Sequence, residues 1–130
     1  MDDTLTTQNP VPRETKDPSV ATTAGTASEQ IVAEVGAWPG VAVDTGELGE
    51  VAFVVGRREI GHVHGDHAAH FSFPRRVWTE LRSDGRIETH PVFPDATQGP
   101  AARRIASDAD VRDVIELFRI NYDRATAARS

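Results

Sequence analysis

The strongest hydrophobic periodicity lies near the C-terminal end of the chain. Val111, Val114, Ile115, Phe118 and Tyr122 recur at three- and four-residue spacing, which predicts a helix with one apolar stripe. Ser107, with Asp110 three residues on, supplies a capping pair at its start. A shorter stripe of Ile31, Val32 and Val35 follows Thr26-Ala27-Ser28-Glu29, a capping-box spacing; Trp38 extends it and Pro39-Gly40 ends it. Between these helices the period changes. Val41–Val43, Val51–Val55 and Glu59–His64 read as strands, separated by a turn at Thr45–Gly49 and a two-residue hairpin at Gly56-Arg57. The second of these is apolar almost throughout, as in a strand covered on both faces. Phe73-Pro74 then opens a helix, with Ser72 as its cap, Val77, Trp78 and Leu81 facing inward and Gly85 at its end. Ile87–Val92 reads as a fourth strand, residues 95–102 as a loop, and Arg103–Ala106 as a short fifth strand. The order α-β-β-β-α-β-(β)-α predicts an α+β fold: a mostly antiparallel sheet of four to five strands packed by about three helices.

Composition sets the boundaries. Residues 1–25 are rich in Thr, Asp and Pro with few apolar side chains, too few to offset the entropy of ordering, so a disordered N-terminal tail is expected there. A single domain over 26–125 and a short C-terminal tail over 126–130 complete the expected organisation. The chain has 130 residues, a net charge of −6 and no cysteine. Disulfides and thiolate metal sites are thereby excluded. Excess carboxylate argues against nucleic acid as a partner, because phosphate binding relies on Lys and Arg. No apolar run approaches a membrane span, and the acidic, polar N-terminus has no signal-peptide character; a cytoplasmic protein with no membrane partner is expected. Nothing in the pattern sets an oligomeric state.

Chemistry concentrates in one segment. Four of the five histidines fall in His62-Val63-His64-Gly65-Asp66-His67-Ala68-Ala69-His70, and His90 is the fifth. Two apart on a strand, His62 and His64 share a face at roughly 7 Å. No cofactor is expected, with one exception left open by the spacing: a metal ion held by His62, His64 and His67. The string satisfies the H-x-H-x-D-H pattern of metallo-β-lactamase-type hydrolases, but the further ligands those enzymes place downstream are missing after His90. Gly56–His64 satisfies the start of a cupin motif, but Ala68 and Ala69 stand where its glutamate belongs. The plain alternative makes His62 and His64 hydrogen-bonded strand residues beside the core, and His67 and His70 polar loop residues.

The block Glu59-Ile60-Gly61-His62-Val63-His64-Gly65-Asp66, then Phe73-Pro74-Arg75-Arg76-Val77-Trp78 with Glu80-Leu81, then Gly85-Arg86, His90 and Pro94, resembles the luciferase-domain family. Ser107-Asp108-Ala109-Asp110-Val111 and the helix to Tyr122 resemble its C-terminal end, so the likeness spans about residues 30–125. The family comprises small prokaryotic proteins, mostly uncharacterised, grouped with the luciferase of bioluminescent fungi. Its members tend to carry a Ser-Gly-Trp-type segment where this chain has Asp95–Pro100. The fungal enzyme oxidises a hydroxylated pyrone with molecular oxygen. The resemblance therefore implies a small-molecule-binding domain or oxidoreductase-like enzyme with a histidine-lined pocket. His62, His64 and His90 would act on an acidic phenol or enol, Asp66 would orient an imidazole, and Arg75 or Arg76 would hold an anionic ligand. The alternative is a non-catalytic protein-interaction module.

Overall fold

A computed structural model describes residues 25–129; the tail expected over 1–25 lies outside the described residues except for Gly25. The elements are α1 (Ala27–Val35), β1 (Val41–Thr45), β2 (Val51–Val55), β3 (Arg58–His64), β4 (Ala68–Phe73), α2 (Arg75–Ser83), β5 (Glu88–Thr89), β6 (Gly99–Arg104) and α3 (Asp108–Arg129). The six strands form one sheet in the order β1-β2-β3-β4-β6-β5, with every neighbouring pair antiparallel. The fold is α+β, as the pattern predicts, but the strand count exceeds the expected four to five. The addition is β4, in a stretch that reads as loop. Ala69, Phe71 and Phe73 are buried and alternate with Ala68, His70 and Ser72, which is the period of a half-buried strand. Ser72 thus belongs to a strand. The N-cap of α2 is Pro74, which has no side-chain cap bond. The expected strand over Ile87–Val92 shrinks to Glu88–Thr89, and the last strand begins at Gly99 rather than Arg103. At the other end, α3 runs on to Arg129, past the edge expected at 125.

The capping signals at α1 and α3 are both realised. Thr26 and Glu29 form a reciprocal capping box at α1. At α3 the Asp110 N–H donates to Ser107 Oγ at 3.1 Å, while Asp110 Oδ2 accepts from the Ala106 N–H at 2.8 Å. Arg103 on β6 ties this helix start to the sheet, donating through Nη2 to Asp110 at 2.6 Å and to Asp113 at 2.9 Å.

One apolar cluster joins all three helices to one face of the sheet. Phe118 of α3 is its centre, meeting Phe53 of β2 and Phe71 of β4 edge-on at ring-centroid distances of 4.9 and 4.8 Å. Edge-to-face packing at this spacing adds about 1 kcal/mol to the gain from burial. Between those rings the chain needs glycine. Gly61 has φ +153°, and a Cβ there would lie 2.6 Å from Phe118 Cε1 and 2.8 Å from Phe71 Cδ1. At this point β3 bulges: Gly61 pairs with Phe53 and Glu59 with Val54, so Ile60 has no residue opposite it. The Ile60 carbonyl is not left bare. Asn121, a buried polar side chain of α3, donates through Nδ2 to Ile60 O and to Ser72 O. The other face of the sheet carries the histidines.

Candidate functional site

Side chains alternate across a strand, so pairing register decides which residues meet on the face opposite the helices. The register lines up Asp44, Ala52, His62, His70, Ala102 and Glu88 in one row across five strand pairs. His62 and His70 are direct cross-strand partners. His64 stands beside them, two residues along β3, and His90 follows β5, where it bridges to Phe93. Ring centroids are 4.8 Å apart for His62 and His64, 5.3 Å for His62 and His70, and 4.5 Å for His64 and His70. His90 adjoins the group through His70, at 4.2 Å.

Backbone irregularity adds a carboxylate. In a regular strand, residues three apart face opposite ways. The bulge at Ile60 cancels one step of alternation and turns Glu59 onto the face of His62. Glu59 Oε2 then lies 2.7 Å from His62 Nδ1. A carboxylate only accepts, so this partner puts a proton on Nδ1, and in the neutral ring the lone pair is then on Nε2. His90 has the opposite tautomer: its Nδ1 accepts from the Val92 N–H at 3.1 Å, so its proton sits on Nε2.

Burial, reinforced by the neighbouring imidazoles of His90, His64 and His62, lowers the His70 pKa to about 4. Burial, then His62 and His64, also lowers that of His90. Both rings are neutral at pH 7, each with one donor and one acceptor nitrogen. Two hollows flank the cluster. The larger, about 680 Å³, is bounded by His67, His70, Glu88, Thr89, Pro91 and Ala102 among others. The smaller, about 290 Å³, is lined by Asp44, Gly46, Glu50, Ala52, Glu59, His62 and His64.

The model of the luciferase-domain family matches residues 57–121, half of the chain. This chain belongs to the luciferase-domain family. The matched span runs from the β2–β3 turn into α3 and contains all five histidines, Glu59, Gly61 and Asn121. Comparison with curated proteins and with solved structures found no match.

Within this luciferase domain, the residues singled out from the sequence part company. His62, His64 and His90 come together, joined by His70. His67 is exposed in the β3–β4 turn, where its carbonyl accepts from the Ile105 N–H at 2.7 Å. It stands outside the group of mutually close nitrogens, which is His62, His64 and His70. His70 thus takes the place that spacing gives to His67. Asp66 has a different partner from the one expected: its Oδ1 accepts from the Ser28 N–H at 2.9 Å, in the first turn of α1. The carboxylate that orients an imidazole is Glu59. Arg75 and Arg76 are exposed in the first turn of α2 and border neither hollow beside the histidines. Alternation of Ala69, Phe71 and Phe73 is the sequence signal that places His70 on the histidine face. For Glu59 the only signal is a glycine inside a strand, which marks a bulge without saying what it turns.

Proposed function

We propose that the histidine face binds a small molecule carrying an acidic enol or phenol hydroxyl conjugated with a carbonyl. The observation that supports this most is the opposite hydrogen bonding of His62 and His90, one ring donating and the other accepting through Nδ1, on either side of His70. His62 offers an Nε2 lone pair, backed by Glu59, to a hydroxyl proton. His90 offers an Nε2–H to the carbonyl oxygen. A hydroxy-carbonyl compound is complementary to that pair, and His70, in ring contact with both, lines the 680 Å³ hollow, which is large enough for a ligand of one or two rings. Ionising such a hydroxyl makes the ring electron-rich, the state in which molecular oxygen oxidises it. That is the basis for reading this luciferase domain as oxidoreductase-like.

The test uses 4-hydroxy-6-methyl-2-pyrone, titrated calorimetrically into the protein as purified. Binding should weaken about 10-fold in His62→Ala and in His90→Ala, the loss of one hydrogen bond each, and stay unchanged in Arg76→Ala, which borders neither hollow. Unfolding transitions of the variants should match the parent. Equal binding by all variants, or none by the parent at millimolar pyrone, contradicts the reading. Val92 and Phe93, 70% and 52% exposed beside His90, favour the second reading, a protein-interaction module. It gains ground if the pyrone fails to bind and Phe93→Ser abolishes capture of a protein partner.

A further inference from the structure

The geometry points to a metal centre: we infer that His62, His64 and His70 hold one divalent transition-metal ion of the zinc type, with Glu59 orienting His62 from behind. The inference deepens the small-molecule reading of the same site, since the ion would meet the ligand's hydroxyl oxygen in place of the bare His62 nitrogen.

Three features carry it. First, one nitrogen from each of the three rings lies within 4.8 Å of the others. A tetrahedral ion bound at about 2.0–2.1 Å needs nitrogens roughly 3.4 Å apart, so small side-chain rotations close the triangle. The rings are mutually tilted by 70°, 85° and 53° rather than stacked, an arrangement in which three imidazoles present nitrogens to a common point. Their backbones sit on two hydrogen-bonded strands in the middle of a six-stranded sheet, a rigid base for a site.

Second, the supporting partner of a metal-bound histidine is already in place. A histidine ligand commonly gives its other ring N–H to a carboxylate, which fixes tautomer and orientation. Glu59 does this for His62 Nδ1 at 2.7 Å, which leaves Nε2 for the ion. The bulge that brings Glu59 round depends on Gly61 and is held by Asn121, so the fold maintains the contact through two buried residues.

Third, the adjoining hollow gathers carboxylates. Asp44, Glu50 and Glu59 line it with His62 and His64. Glu50 Oε1 is buried with no hydrogen-bond partner among the described residues, an acceptor that a metal-bound water would satisfy. His90 stands aside from the nitrogen triangle, with Nδ1 engaged by the Val92 N–H. Three protein ligands leave a coordination position open, as in catalytic rather than structural zinc sites.

The experiment is a titration of Zn²⁺, by calorimetry, into chelator-treated full-length protein carrying no histidine tag and no organic ligand. One ion per chain is expected, with Co²⁺ giving the visible absorption of a tetrahedral complex. His64→Ala and His70→Ala should each weaken binding at least 100-fold, and Glu59→Gln about 10-fold, the usual scale for an outer carboxylate. His67→Ala should bind as the parent does. His64 is exposed, so its variant keeps the test meaningful if His70→Ala fails to fold. No binding at millimolar Zn²⁺, more than one ion per chain, or an affinity shared by all four variants overturns the inference, the last two marking surface chelation. Metal binding without pyrone binding overturns the small-molecule reading alone; pyrone binding without metal binding overturns the metal centre alone.

Discussion

Gly61 is the residue on which the site turns. It combines a φ of +153°, costly for any side chain, with two aromatic rings where a Cβ would stand. Gly61→Ala should destabilise the protein by about 3 kcal/mol, the sum of backbone strain and overpacking, measurable as a lower urea midpoint. Relaxing that strain would also disturb the bulge and draw Glu59 away from His62. The sequence shows a glycine in a strand and a glutamate three residues before a histidine. It does not show that they depend on each other, because alternation alone puts Glu59 and His62 on opposite faces. Only the skipped residue, Ile60, reverses that. The residues His62 and His64 are readable as a pair from their spacing; their carboxylate is not.

Among the elements, α1 and α3 are the ones the hydrophobic pattern describes best, because each couples a capping signal to an apolar stripe. β4 is hidden by its composition. Ala68, Ala69 and His70 have weak strand character, and the cue lies in alternation that continues through Phe71, Ser72 and Phe73. Missing that strand also hides His70, which reaches the site through cross-strand register, a long-range property. The start of α3 has a pH signature. A hydrogen bond from the Ala106 N–H, with Arg103 alongside, holds the Asp110 carboxyl below its usual value of 3.8. The unfolded chain therefore takes up that proton first as pH falls. The contribution is complete above the unfolded value, near pH 4, and is lost as pH drops through the lower folded value. Asp110→Asn should cost about 1 kcal/mol at pH 7, by weakening the cap and the Arg103 contact, and should flatten the fall in stability below pH 4. Urea unfolding of both proteins across that range checks it; parallel pH profiles would contradict it.

At the scale of the whole molecule, three helices cover one face of the sheet and leave the other to the histidines. Among the described residues, no helix is long and apolar enough to cross a membrane. The α+β class and the luciferase-domain family were both accessible from the chain, the first from periodicity and the second from the Glu59–Asp66 block with Phe73-Pro74. The meeting of His90 with His70 was not, since β5 is two residues long and joins the sheet at its edge beside β6. The central claim is that His62, His64, His70 and His90 act as one binding surface. It is tested most directly by following the ring nitrogens of ¹⁵N-histidine-labelled protein during a titration with 4-hydroxy-6-methyl-2-pyrone. The expected result is that the four signals shift together along one saturation curve. A shift confined to His67, or no shift in any of the four at millimolar pyrone, would contradict it.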